Sequence, residues 1–542
     1  MTRIRLALGA LFVVLAPSIS AQVPSAGPLP EWRESGVCYE VFVRSFFDSD
    51  GDGVGDFRGL IQKLDYINDG DPTTDSDLGA TCIWLMPIAQ SPSYHGYDVT
   101  NYYHVNREYG TNEDFREFMG EARRRGIHVV VDLVLNHLSR EHPYFKSALT
   151  FEDSPFRDWF LWSPEERPAP GWGHPVWHPV PDRDEYYYGL FWGGMPDFNL
   201  ANPDVTAELK EIGRYWLEEM GVDGFRLDAV AHFFEGPDGE WKHDPAVHPW
   251  LRDYQAYLES VKPDVWTIGE VWDPTEAIIP YYPDQLDSYF IFEVADGLVD
   301  AARTGSGQRL MDAVEQVQRH IPAGRWSPFL RNHDQTRTMT ELGGDVPRAK
   351  LAATLLLTMP GFPFLYYGEE IGMMADKPDP RLRTPMHWEL APAAGFSDGL
   401  PWEPLQPDSF TANVAVQDAD PGSLLNHHRR LIRLRASTPA LGATGELLPL
   451  GTGNDGVVAY LRRTDDQTVL VVANLGERPV SGLALSSREA VLPRGRYTAR
   501  PLFGEAQQIR LDVGRDGHIR GWVAVPTLAP FEGYVLEVSA AN

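Results

Sequence analysis

The sequence predicts an α/β protein: a (β/α)8 TIM barrel with a small domain inserted after its third strand and a C-terminal antiparallel β-sandwich. Three observations carry this. Eight short apolar runs alternate with helical patterns; continuous apolar strands covered by helices form parallel sheets, and eight such units close on themselves. Residues 138–200 break that rhythm with aromatics, prolines and glycines and show little helical period, over a stretch too long for a simple loop. Beyond residue 441 the apolar stretches are short and alternating, as sandwich strands are.

In chain order, MTRIRLALGALFVVLAPSISA (1–21) has the basic start, short apolar stretch and small-residue end of a signal peptide. Its apolar stretch falls short of the ~20 residues a spanning helix needs. The protein is therefore expected to be exported, to the periplasm or the medium. The barrel is expected over 29–137 and 201–441, the inserted domain over 138–200, and the sandwich over 442–542. Its strands are expected in VCYEVFVRSF (37–46), CIWLMPI (82–88), IHVVVDLVLNH (127–137), VDGFRLDAV (222–230), VWTIGEVW (265–272), SYFIFEV (288–294), SPFLRNHD (327–334) and FPFLYYGEEIGM (362–373). Helical patterns such as EDFREFMGEARRRG (113–126) and ELKEIGRYWLEEMG (208–221) lie between them, and SLLNHHRRLIRLRASTPAL (423–441) reads as the last barrel helix. VVAYLRR, TVLVVANL and YVLEVSA are the clearest sandwich strands.

The formal charge of −30 repels nucleic acid and anionic lipid, and no later segment reads as membrane-spanning. A neutral substrate and a monomer are the expectation. Cys38 and Cys82 are the only cysteines, so this is no disulfide scaffold. Each precedes an apolar strand, which could set them level on neighbouring strands. Bridging geometry is demanding, so two buried free thiols are expected, with one bridge as the alternative.

Between 46 and 56, FFDSDGDGVGD places Asp48, Asp50, Asp52, the Val54 carbonyl and Asp56 at alternate positions with turn-making glycines between them. Hard oxygen ligands at this spacing suit Ca²⁺. Position 12 of a calcium switch loop would be glutamate, but here it is Gly59, and the upstream residues read as a strand. A static structural ion is expected, against a solvated acidic turn.

Arg226 and Asp228 are two apart on one strand, so their side chains point the same way. A guanidinium beside an aspartate keeps it ionised, as a nucleophile must be. Glu270 ends the next strand, and a like charge nearby would raise its pKa towards that of a general acid. Asp334, beside His333, ends the seventh. Three acids and an arginine at one barrel mouth are costly to bury without purpose. Two carboxylates flanking a bond are the apparatus of glycoside hydrolysis.

DLVLNH (132–137), GFRLDAVAH (224–232), GEVW (269–272) and FLRNHD (329–334) appear in order, with MPDFN (195–199) and GFPFLYYGEE (361–370). Through these motifs the chain, from about Gly36 onward, resembles the α-amylase family, glycoside hydrolase family 13. It looks most like the intermediary bacterial group between α-amylases and oligo-1,6-glucosidases. The resemblance implies Asp228 as nucleophile, Glu270 as general acid/base and Asp334 as the third acid, with Arg226 orienting the nucleophile. It implies that His137 and His333 bond sugar hydroxyls, that Tyr97 stacks on the sugar and that Asp98 contacts a terminal sugar, as in exo-acting relatives. It also implies a calcium at the 48–56 loop and a second held by Asn136, Asp197 and the His232 carbonyl. For the second, the alternative is that Asn136 and Asp197 bond within the protein. Ala229 resembles α-1,4-acting relatives, and Ala231 departs from the lysine usual in amylases.

The activity implied is retaining hydrolysis of α-1,4-glucosidic bonds in starch-like glucans. The alternatives are an exo-acting α-glucosidase, or a glucosyl transferase such as a maltose-to-trehalose isomerase. An inactive carbohydrate-binding relative is the reading from another class; the three acids argue against it.

Overall fold

The computed structural model describes residues 29–167, 173–235 and 241–541. The expected leader, 1–21, lies outside them. Seven parallel strands form one curled sheet: Cys38–Val41, Cys82–Leu85, His128–Leu133, Gly224–Leu227, Trp266–Gly269, Ser288–Tyr289 and Phe364–Tyr366. The last pairs with the first. The eighth place is taken by the segment at Ser327, which forms a parallel bridge with Phe290. On its other side this segment accepts backbone N–H bonds from Phe362 to Trp326 and from Phe364 to Pro328, at 3.0 and 2.9 Å. The sheet thereby closes into the expected TIM barrel.

The strands are buried on both faces because helices cover the outside and side chains fill the lumen. Helix Asn112–Arg124 begins with a capping box between Thr111 and Asp114, and helix Pro203–Glu218 with Asn202 as cap and proline in its first turn. Inside, the period of two along each strand sets layers. Cys38, Cys82, Trp84, Val130, Trp266, Ile268, Phe362 and Phe364 all belong to one buried cluster. Gly224 pairs with Trp266 across the fourth and fifth strands, and a Cβ there would meet the Trp266 carbonyl oxygen at 2.0 Å.

Three readings need correction. Cys38 and Cys82 are not free thiols; they are disulfide-bonded. They are register partners on adjacent parallel strands, so both side chains enter the lumen at one level. The stretch 288–294 is not one strand: it is the two-residue strand followed by helix Phe292–Thr304. Its apolar residues fill the lumen and then the helix–barrel seam, and an unbroken apolar run does not mark where one ends. The first strand likewise stops at Val41, and a helical turn, Val43–Phe46, follows.

Between the third and fourth strands lie helix Pro143–Thr150 and a three-stranded antiparallel sheet (Trp162–Ser163, Tyr186–Tyr188, Trp177–Pro179). The His137–Asp197 bridge and the Phe198 N–H bond to the Asn136 carbonyl at 2.9 Å tie this region to the barrel, and the Phe160–Phe198 bridge closes it on itself. At the C-terminus a seven-stranded sheet carries Val457–Arg463, Thr468–Asn474 and Gly533–Ala540 at its centre, and Val480–Ser481 pairs separately with Thr527–Leu528. On the Val457–Arg463 strand, Val458 and Tyr460 join the barrel's core, while Val457, Ala459 and Leu461 join the sandwich's own. Both faces are covered, which is why this strand reads as continuously apolar.

Candidate active site

The fourth strand ends at Leu227 and delivers Asp228 to the barrel mouth. The next residue, Ala229, has φ +52°, a left-handed conformation that turns the chain sharply. Such strain in a non-glycine residue costs about 1–3 kcal/mol and persists where surrounding bonds hold it. Here Val230 N–H donates to the Glu270 carbonyl at 3.1 Å, locking the turn onto the fifth strand's end.

Arg226 is the hub. Its Nη1 donates to Asp228 at 2.6 Å and to both Asp132 oxygens at 2.9 and 3.0 Å; its Nη2 lies 2.9 Å from Glu270. It is buried, and the surrounding acids hold its pKa well above the ordinary arginine value despite desolvation. Burial raises Glu270, with the charges of Asp228 and Asp334 adding and Arg226 opposing. A raised carboxyl holds its proton to higher pH, the direction a general acid needs.

A second chain of contacts converges from the first strand, the loop after the second and the segment that follows Ser327. His333 Nδ1 meets Glu40 at 2.5 Å; its Nε2 lies 2.7 Å from the Tyr97 hydroxyl and 3.1 Å from Asp334. The Tyr97 hydroxyl donates to Asp132 at 3.1 Å, and Arg383 Nη2 donates to Asp334 at 2.7 Å. Burial alone would lower His333, but Asp334 and Glu40 push it up to about 10. Burial would raise Asp334, yet His333 and Arg383 hold it well below the usual carboxylate range. His333 is therefore a cation and Asp334 an anion at neutral pH. Asp132, deeper in the lumen, is raised to about 7, chiefly by burial. His137 is lowered to about 4 by burial, so it is neutral; its Nε2 has no protein partner.

Of these groups, Tyr97, His137, Asp228, Glu270, Asp334 and Arg383 line one cleft of about 680 Å³. Exposed Trp192 and Trp272 stand on its walls. Two carboxylates on one guanidinium, one of them with a raised pKa, beside a fixed anion and an aromatic ring form a set that can cleave a glycosidic bond and hold the sugar while it distorts. Of the residues expected to meet the sugar, two do not line the cleft: His333, fully buried between Glu40, Tyr97 and Asp334, and Asp98. Asp98 is buried in its own loop, accepting from the Ser91 hydroxyl at 2.7 Å and from Ser93.

Asp48, Asp50 and Asp56 offer carboxylate oxygens within 4.8 Å of one another, a set that fits a hard cation. Asp52 is not in that group; its carboxylate accepts the Val54 N–H. Ser397 and the Gly51 and Gly53 N–H groups hold Asp48, tying the loop to the segment after the last strand. Asn136 and Asp197 bond each other, Nδ2 to Oδ2 at 3.0 Å, and the other Asp197 oxygen accepts the Leu190 N–H. With a single acid that already has two donors, this arrangement fits a protein-internal bond better than a second cation. The His232 ring bonds the Trp241 carbonyl at 2.9 Å.

Sequence reasoning missed Asp132, Glu40 and Arg383. The first two carried a signal: each is a lone charge inside an apolar strand, at inward-facing spacing from a residue of the lumen. Arg383 comes from a loop and reaches Asp334 only through the fold.

The sequence matches the family described as alpha amylase, catalytic domain, over residues 40–444. It is 39% identical over 450 residues to Alpha-amylase 3 of Dictyoglomus thermophilum, covering 82% of this chain and 85% of that one. It is 31% identical over 521 residues to an oligo-1,6-glucosidase of Parageobacillus thermoglucosidasius, covering 82% and 91%. Among solved structures, an alpha-amylase from H. orenii aligns with TM-score 0.80 at 39% identity, over 93% of this chain and 99% of that chain.

Proposed function

The chain belongs to the α-amylase family of glycoside hydrolases, and from that premise we propose that it cleaves α-1,4-glucosidic bonds in starch-like glucans and maltooligosaccharides with retention of configuration. The observation that carries the mechanism is Arg226 bridging Asp228 and Glu270. One guanidinium between two carboxylates favours the ~5–5.5 Å separation of a double displacement over the wider gap of inverting sites. Glu270 gives its proton to the departing oxygen as Asp228 bonds the anomeric carbon. Glu270, now ionised, takes a proton from water as that water breaks the glycosyl–Asp228 ester. Asp334 and neutral His137 hold the ring's hydroxyls, and Tyr97 carries its apolar face.

Digestion of maltoheptaose with product analysis tests this. Internal cuts giving a spread of oligosaccharides, released first as α-anomers, are expected; β-anomers first would exclude retention. Glucose as the sole early product would favour the second reading, an exo-acting α-glucosidase or glucosyl transferase. That reading draws on the likeness to an oligo-1,6-glucosidase.

Calcium at Asp48, Asp50 and Asp56 would screen three carboxylates and fasten the loop against Ser397. A ligand that binds only the folded state raises stability, so chelator should lower Tm by several degrees and metal analysis should find one ion per chain. An unchanged Tm with no bound metal removes calcium. Export is part of the same proposal; the buried Cys38–Cys82 bond supports it, because such bonds persist in oxidising compartments. Among the described residues no helix is long and apolar enough to cross a membrane.

A further inference from the structure

The polar groups proposed to grip the reacting sugar come from beyond the second and third strands and from the segment after Ser327. Glu270 comes from the fifth, and the wall next to it is built differently. Ala229 and Ala231 face the cleft there and offer no polar side chain. Against them packs the segment 241–243. The Trp241 carbonyl accepts from His232 Nδ1 at 2.9 Å, and the His243 N–H donates to the Ala231 carbonyl at 2.7 Å.

His243 has φ +59°, left-handed in a non-glycine residue. Two further contacts hold it there: Nδ1 to the Tyr281 hydroxyl at 2.9 Å and Nε2 to Asp273 at 3.1 Å. This strained, pinned residue sets the direction of its neighbour. Lys242 lines the cleft, and its ammonium is paired with Asp273, three residues past Glu270. The Lys242 side chain is 32% exposed, whereas Asp273 is 13% exposed. An ammonium carries three donors and Asp273 occupies one, so the remainder are available to a ligand in the cleft. Trp272, between Glu270 and Asp273 in sequence, also lines the cleft; one of its faces lies on Phe292 at 4.8 Å.

Glu270 protonates the oxygen of the departing sugar, so groups on its own loop stand on that sugar's side of the bond. We propose that Lys242, aimed by Asp273 and His243, is the hydrogen-bond donor that positions the leaving-group sugar, with Trp272 as its apolar platform. By microscopic reversibility the same ledge receives a sugar acceptor when one attacks the glycosyl–Asp228 intermediate in place of water. Lys242 thus acts on chain-length preference and on the partition between hydrolysis and transfer. This inference rests on the α-glucan reading above.

The test compares two substrates in one variant. Maltotetraose has a sugar leaving group; α-glucosyl fluoride has none and needs no proton. Lys242→Met should lower the ratio of kcat/KM on maltotetraose to that on the fluoride by about 10-fold or more, the scale of one lost hydrogen bond from a charged donor. Transfer products formed with added maltose should fall in parallel. Lys242→Arg should recover part of the ratio. An equal fall on both substrates marks Lys242 as structural and overturns the proposal, as does an unchanged ratio with active wild-type enzyme. Wild-type protein that turns over neither substrate sinks the α-glucan reading itself, and this one with it.

Discussion

The two ends of the barrel lumen are built from the same strands to opposite rules. At the floor sit the Cys38–Cys82 bridge, Trp266 and Phe362, all apolar and buried. At the mouth, reached by stepping two residues along each strand, sit Glu40, Asp132, Arg226 with Asp228, and Glu270. Cys38 leads to Glu40, Val130 to Asp132, and Trp266 through Ile268 to Glu270. The contrast separates what stabilises the fold from what performs chemistry. Desolvating charges costs several kcal/mol each unless partners compensate. At the mouth Asp228, Glu270 and Asp334 are each shared between a cation and the open cleft, while Asp132 and Glu40 are held behind them by Arg226 and His333, so the whole set hangs on Arg226, His333 and Arg383. The floor carries no such debt: it only buries apolar area, at roughly 25 cal/mol per Å².

If this division holds, substitutions at the two ends should separate turnover from stability. The largest effect is expected from Asp228→Asn. Loss of the nucleophile should lower kcat on maltooligosaccharides by about 10⁴-fold or more, with cooperative unfolding retained. Glu270→Gln should cost about 10²–10⁴-fold on the same substrates and much less on α-glucosyl fluoride, whose leaving group needs no proton. An equal loss on both would remove the general-acid role. In the wild type, activity should fall as pH rises through the raised Glu270 value, since the acid must be protonated.

A smaller, pH-dependent effect is expected behind the reacting groups. The folded pKa of His333, about 10, exceeds its ordinary 6.5. The stability it contributes is therefore complete below 6.5 and is lost as pH rises through about 10. Glu40→Gln removes one of the two charges that raise it, so the alkaline fall in Tm should begin at lower pH than in the wild type. Identical Tm–pH curves would dissolve the assigned pair. At the floor, Cys38→Ala with Cys82→Ala should leave kcat at 25 °C within two-fold while lowering stability by about 2–4 kcal/mol, read from chemical denaturation. A large loss of turnover there would show the two ends to be coupled.

The barrel and its three acids were legible because both depend on short-range pattern. Alternation of apolar runs with helical periods marks the eight units. A charge placed at a strand's end, two residues from another inward position, marks a mouth residue whatever the rest of the chain does. Glu40 and Asp132 carried the same mark and could have been read from it. The boundary within 288–294 could not, because strand and helix both bury that run and periodicity is silent when every face is covered.

The sequence by itself determined which side chains can be acids, nucleophiles or apolar wedges, and on which face of each strand they stand, because a period of two is a local property of the backbone. Only the tertiary structure decided who meets whom. Register set Cys38 level with Cys82 and turned two expected thiols into a bond. Closure through the segment at Ser327 brought His333 against Glu40, 293 residues away in the chain. Loops then carried Arg383 to Asp334, folded Asp98 into its own turn and laid Lys242 beside Glu270's loop. Such contacts depend on the relative placement of distant segments, which packing of the whole core settles and no local pattern encodes.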